Sequence, residues 1–158
     1  MRTRDALEKQ IPIFLKIAPD LTNEEIVQIA QVARKTRIDA IIATNTTVDR
    51  TGLKSEYRSQ KGGLSGKPLL ERSTQVLAKL AYELDGSIPL IGVGGIDSAQ
   101  SAFEKIRAGA SAVQLYTALV FHGLSLAYDI AEELDQILEN NGFSHISQAV
   151  GTGIRDYL

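Results

Sequence analysis

The sequence predicts an α/β chain of about four strand–helix units with parallel strands. Two observations carry this. Short β-branched runs alternate with longer segments of helical period, and no hairpin signal falls between them. The strand candidates are also apolar almost throughout and end in polar or glycine residues, as strands buried on both faces of a parallel sheet do. Right-handed crossovers then join them. Two architectures fit: a small doubly wound sheet, or half of a (β/α)₈ TIM barrel. A whole barrel takes roughly 250 residues, so the 158 residues here hold about half of one.

Each element has a local reason. Residues 1–10 read as the tail of an earlier helix. Ile13–Ile17 is a strand candidate, and Thr22 with Glu25 forms a capping box ahead of a helix whose inner face is Ile26, Ile29, Ala30 and Ala33. Ile38–Ala43 is the second strand, ending at Thr44-Asn45-Thr46-Thr47. A long polar loop with glycines leads to a helix from about Pro68 to Leu84. Proline suits a first helical turn, where a missing N–H costs nothing. Leu69, Val76, Leu77, Leu80 and Leu84 form its buried stripe. Pro89–Val93 is the third strand, followed by a helix capped by Ser98 or Asp97, with Ala102, Phe103 and Ile106 inward and Gly109 as its stop. Ala112–Leu115 is the fourth strand. A last helix shows Leu126, Ile130, Leu134, Ile137 and Leu138 on one face and stops at Asn141-Gly142.

Composition narrows the function classes. Hydrophobic residues make up 44% and charged residues 23%, as in ordinary folded domains. The formal net charge is −2 without a basic block, which disfavours nucleic acid as a partner. The absence of cysteine removes disulfides, thiolate metal sites and thiol nucleophiles. The two histidines, His122 and His145, read as structural, and no metal site is expected. The charged N-terminus and the lack of a long apolar run argue against a signal peptide or a membrane segment, so the chain is expected to be soluble.

In either architecture ligands bind at the carboxyl ends of the strands. Lys16, Thr44 to Thr47, Gly94-Gly95 and Tyr116-Thr117 all fall there. Lys16 lies in an apolar strand, where an ammonium needs a partner, solvent or an anionic ligand. The threonines and Asn45 can both donate and accept, or can simply cap a turn. Gly94-Gly95 ahead of a helix exposes N–H groups that suit a phosphate. The dinucleotide fingerprint fails, because Asp97 stands at its third glycine. Residues 62–68, Gly-Gly-Leu-Ser-Gly-Lys-Pro, fail both the P-loop and the nucleophile-elbow patterns. Asp20, Glu24 and Glu25 read as a solvated, acidic helix start.

These same segments carry a resemblance. Lys16–Leu21, Ala43–Thr47, Gly62–Leu69, Ile91–Ile96 and Lys105–Thr117 resemble, in order and spacing, consecutive signatures of the class 2 (quinone-dependent) dihydroorotate dehydrogenases. The agreement runs from about Ile11 to Gly142.

The resemblance implies the C-terminal half of a TIM barrel, a single domain over residues 1–158, and a flavoprotein of pyrimidine (UMP) biosynthesis. The family oxidises dihydroorotate to orotate with FMN as cofactor and a quinone as acceptor. By motif, Lys16 would lie near the flavin ring, Thr44 and Gly66 would contact the flavin, Gly95, Tyr116 and Thr117 would hold its phosphate, and Asn45 and Thr46 would bind the substrate. The family's serine base and its membrane-associating helices belong to the N-terminal half, so no catalytic residue is assigned in this chain. The expected partners are that missing half or a second copy of this chain. Intact members are peripheral on the bacterial cytoplasmic or the mitochondrial inner membrane.

Overall fold

The computed structural model describes Arg4, Glu8, Lys9 and residues 11–158, so the expected helix tail at residues 1–10 lies largely outside the described residues. Four strands, β1 (Phe14–Ile17), β2 (Ala40–Ala43), β3 (Leu90–Val93) and β4 (Ala112–Gln114), form one parallel sheet in sequential order. Helices α1 (Asn23–Thr36), α2 (Leu70–Leu84) and α3 (Ala99–Arg107) make the crossovers. After β4 come α4 (Thr117–His122), α5 (Leu126–Asn140), α6 (Ile146–Ala149) and a closing 3₁₀ turn, Ile154–Tyr157. Strictly sequential strand order is the arrangement of a barrel wall; a doubly wound sheet would reverse direction at a switch point.

Local chemistry sets the helix ends. The Thr22 hydroxyl accepts from Glu25 N–H at 3.2 Å, and the Glu25 carboxylate accepts from Thr22 N–H at 2.7 Å. Ser98, not Asp97, caps α3, accepting from Ser101 N–H at 3.3 Å. A short 3₁₀ turn, Lys67–Leu69, with Pro68 inside it, leads into α2. The expected stripe of Leu69, Val76, Leu77, Leu80 and Leu84 is buried throughout.

Side chains in register on neighbouring parallel strands share a face of the sheet. Ile17, Ala43 and Gly92 align on one face, and Ile41 and Leu90 on the same side. This face packs beneath Ile26, Ala30, Ala33, Leu77, Leu80 and Phe103 of the helices. Lys16, Ile42, Ile91 and Ala112 form the opposite row. Among the described residues no helix layer covers that face, and Phe14 on it is 50% exposed.

α4, α6 and the closing turn have no counterpart in the sequence reading. They are too short to carry a periodic signal, and tertiary contacts hold them. Gly151 N–H donates to the Ile106 carbonyl and Gly153 N–H to the Arg107 carbonyl, both at 3.0 Å, pinning the C-terminal segment to the end of α3. Among the described residues, no helix is long and apolar enough to cross a membrane, and no cluster of His, Cys, Asp or Glu could hold a metal ion.

Candidate functional site

The residues singled out in the sequence lie along the carboxyl edge of the sheet, in strand order. Lys16, next to last in β1, lies on the open face and is exposed. Thr44, Asn45 and Thr46 follow β2, Gly95 follows β3, and Tyr116 and Thr117 follow β4. Strands are spaced about 4.8 Å apart, so this row runs roughly 14 Å from β1 to β4.

A cavity of about 390 Å³ opens at the β3–β4 end, within the range of small-ligand sites. Gly66, Gly95, Gln114, Tyr116 and Thr117 line it, with Lys67, Asp97 and His122 at its wall. Four of the expected binding residues therefore meet in one cavity. Lys16, Thr44, Asn45 and Thr46 do not line it and stand farther along the edge.

The cavity wall is built by close backbone approaches. Gly95 sits at φ +78°, and a Cβ there would come within 2.5 Å of the Leu70 Cα. Only glycine fits, in conformation and in space. Gly66, at φ +80°, lies opposite Thr117, whose methyl would be 3.1 Å from an added Cβ. The Thr117 hydroxyl donates to Ser65 Oγ at 2.8 Å, tying the start of α4 to the glycine-rich loop. In the first turn of α4, Leu119 N–H donates to the Tyr116 carbonyl at 3.0 Å, while the N–H groups of Thr117 and Ala118 precede the helix's own carbonyls. The Lys67 ammonium pairs with the Asp97 carboxylate at 3.3 Å. The carboxylate that spoils a dinucleotide fingerprint is thus neutralised at the rim.

The loop after β2 is ordered by its own polar groups. Thr44 is 1% exposed; its N–H donates to the Val93 carbonyl at 2.9 Å and its hydroxyl to the Asn45 carbonyl at 2.8 Å. Asn45 Oδ1 accepts from Thr46 N–H at 2.9 Å, and both side chains reach solvent. Thr47 exchanges backbone hydrogen bonds with Leu64 at 2.8 and 3.0 Å, which brings residues 62–66 against β2. Asp20 is not merely a solvated helix start. It accepts from the Thr47 hydroxyl and from Val48 N–H, locking the end of β1 to this loop.

Three features were not read from the sequence: the Ser65–Thr117 tie, the Lys67–Asp97 pair and a fully buried lysine, Lys105. The first two join residues 52 and 30 positions apart, and no local pattern announces such pairs. His145 caps α6 by accepting from Ser147 N–H at 3.2 Å, a structural role, whereas His122 reaches the cavity. A larger groove, about 880 Å³, runs along α2 beside Asn23, Glu71, Gln75 and Tyr157. It lies on the helix side of the fold and shares Lys67 with the smaller cavity.

Comparison with known proteins agrees with this geometry. The family model for dihydroorotate dehydrogenase matches residues 3–138. A dihydroorotate dehydrogenase (quinone) from Cereibacter sphaeroides is 52% identical over 158 residues, all of this chain and 45% of that protein. The mitochondrial dihydroorotate dehydrogenase (quinone) of Mus musculus is 48% identical, covering 98% of this chain and 40% of that protein. A crystal structure of the Eimeria tenella enzyme in complex with ferulenol superposes with a TM-score of 0.89 at 40% identity, covering 95% of this chain and 40% of that one. The chain spans less than half the length of the relatives it matches. With its parallel wall of sequential strands, this chain is half of a TIM barrel and belongs to the quinone-dependent dihydroorotate dehydrogenase family.

Proposed function

We propose that the chain carries the flavin-mononucleotide half of a site that oxidises dihydroorotate to orotate and hands the electrons to a quinone. The observation that carries this reading is the cavity at the β3–β4 end, where Gly66, Gly95, Tyr116 and Thr117 converge. Its free donors are backbone amides around the Gly95 turn, a setting that favours a phosphate. The family is flavin-dependent, and the residues present fit the group: a cradle that a Cβ would fill, with the acidic Asp97 at its rim offset by Lys67.

With the phosphate at β3–β4, the row along the carboxyl edge receives the rest of the molecule. Thr44, already oriented by Val93, contacts the ring, and Lys16 at the far end places a positive charge beside it. Asn45 and Thr46 present an amide and a hydroxyl to solvent at the same edge, the donor–acceptor mix that a planar carboxylated ring needs. The flavin, when bound, supplies the hydride acceptor. No residue of this chain takes the role of general base. Ser65 is committed to Thr117, and the base is assigned to the remainder of the barrel.

The open face calls for a partner. Phe14 on the open face is 50% exposed, and on the other face of the same edge strand Leu15 is 36% exposed, where a sheet edge meets solvent. The complementary half-barrel is the occupant this reading assigns, with a second copy of the chain as the substitute when that half is absent.

A visible absorption spectrum of the purified chain, followed by titration with FMN, tests the proposal. Saturable binding at one flavin per chain is expected. No binding alone and none after mixing with the complementary half would refute it.

A further inference from the structure

Lys105 is 0% exposed, on the inner face of α3. Its ammonium donates to the Leu70 carbonyl at 3.3 Å and lies against the Ser73 hydroxyl. Ser73, also 0% exposed, stands 3.1 Å from both the Leu70 and the Gly94 carbonyls, to which its hydroxyl can donate. One lysine thus links α3 to the first turn of α2 and, through Ser73, to the turn after β3. Among the described residues, no carboxylate forms an ion pair with it. Glu104, its neighbour on α3, acts on it only through space, and burial lowers its pKa from 10.5 to about 7.

An apolar side chain of similar length would fill this volume without the cost of burying an ammonium. What only the ammonium supplies is a set of directed donors and a positive charge. Both sit behind the turn whose other side lines the cavity. That turn rests directly on α2. A Cβ on Gly94 would lie 2.7 Å from Ser73 Oγ, and one on Gly95 would lie 2.6 Å from Leu70 N. Whatever holds Leu70 and Ser73 therefore sets where Gly95 stands.

We propose that Lys105 is a positioning residue for the phosphate end of the flavin site. It clamps Leu70 and Ser73 so that the Gly94-Gly95 turn faces the cavity. This inference rests on reading the cavity as the flavin-phosphate site. Lys105 touches neither flavin nor substrate, and its effect passes through the turn.

The experiment compares FMN with riboflavin, which lacks the phosphate, on the wild-type chain and on Lys105→Met and Ser73→Ala. Flavin fluorescence quenching reads affinity, and amide hydrogen exchange at Gly94 to Ile96 reads the turn without any ligand. Lys105→Met is expected to weaken FMN about tenfold or more while riboflavin changes less than about twofold. Ser73→Ala should shift FMN in the same direction by less. Equal weakening of both flavins, or no change in either, overturns the proposal. Should the wild-type chain bind neither flavin, alone or mixed with the complementary half, the functional reading fails on its own and exchange decides the clamp. Faster exchange at Gly95 in both variants supports it, and unchanged exchange overturns it. Should Lys105→Met not fold, Ser73→Ala carries the same comparisons.

Discussion

One sheet here has two faces with opposite chemistry. Under the helices, Ile41, Ala43, Leu90 and Gly92 lie in a core closed by α1, α2 and α3. On the other side Phe14, Lys16, Ile42 and Ile91 have no covering layer among the described residues. Two lysines mark the contrast. Lys16 sits in an apolar strand yet is exposed, and Lys105 sits on an amphipathic helix yet is fully buried. The lesson is that burial follows which face has a partner, not the character of the neighbouring residues. Stability should therefore reside on the covered face, and recognition on the open face and at its carboxyl edge.

The sharpest way to break this division is a pair of truncations. Leu77→Ala, in the closed core at 0% exposure, should cost about 2–5 kcal/mol in urea unfolding. Phe14→Ala, on the open face, should cost about 0.5 kcal/mol or less and should reduce self-association in sedimentation velocity. Similar losses for both would mean that the open face is covered in solution.

Next in size is a pH effect on the covered face. The folded pKa of Lys105 is about 7 against an ordinary 10.5, so between these values the unfolded chain holds a proton that the folded chain has released. Stability then rises with pH through that window, at about 1.4 kcal/mol per pH unit. The full cost of burying the charge is present below about pH 7. From pH 7 to 9, wild type should gain about 2–3 kcal/mol over Lys105→Met. A flat difference would show that the ammonium is solvated or paired.

Thr22→Ala removes one half of the α1 capping box and should cost about 1 kcal/mol, read from the same unfolding curves. Lys16→Met should have the smallest effect on stability, within about 0.5 kcal/mol, while weakening FMN binding. A large stability loss at Lys16 would place it in the core instead.

The two lysines also show what a sequence can and cannot disclose. Thr22 with Glu25, and Ser98 ahead of α3, were legible because a cap and its helix lie within three residues of each other. The strand ends were legible because parallel strands switch from apolar to polar where they leave the sheet. Lys105 was not. Period 3.6 gives Ala102, Phe103 and Ile106 as the inner face of α3, and a charge beside them reads as surface. What admits Lys105 is the missing side chain of Gly92, where an added Cβ would lie 3.1 Å from the Lys105 Cβ. That contact between a strand and a helix has no local signature. The Ser65–Thr117 and Lys67–Asp97 contacts stayed hidden for the same reason. The motif resemblance named Gly66, Gly95, Tyr116 and Thr117 without them, and the folded chain brings those four to one cavity.

The most direct test of the carboxyl-edge site is an amide chemical-shift map of the chain titrated with FMN. The account predicts shifts at Gly66, Gly95, Ile96, Tyr116 and Thr117 from the phosphate, continuing to Thr44, Asn45 and Thr46 from the ring. Shifts gathered instead along the groove at Asn23, Glu71, Gln75 and Tyr157, or no shifts even with the complementary half present, would contradict it.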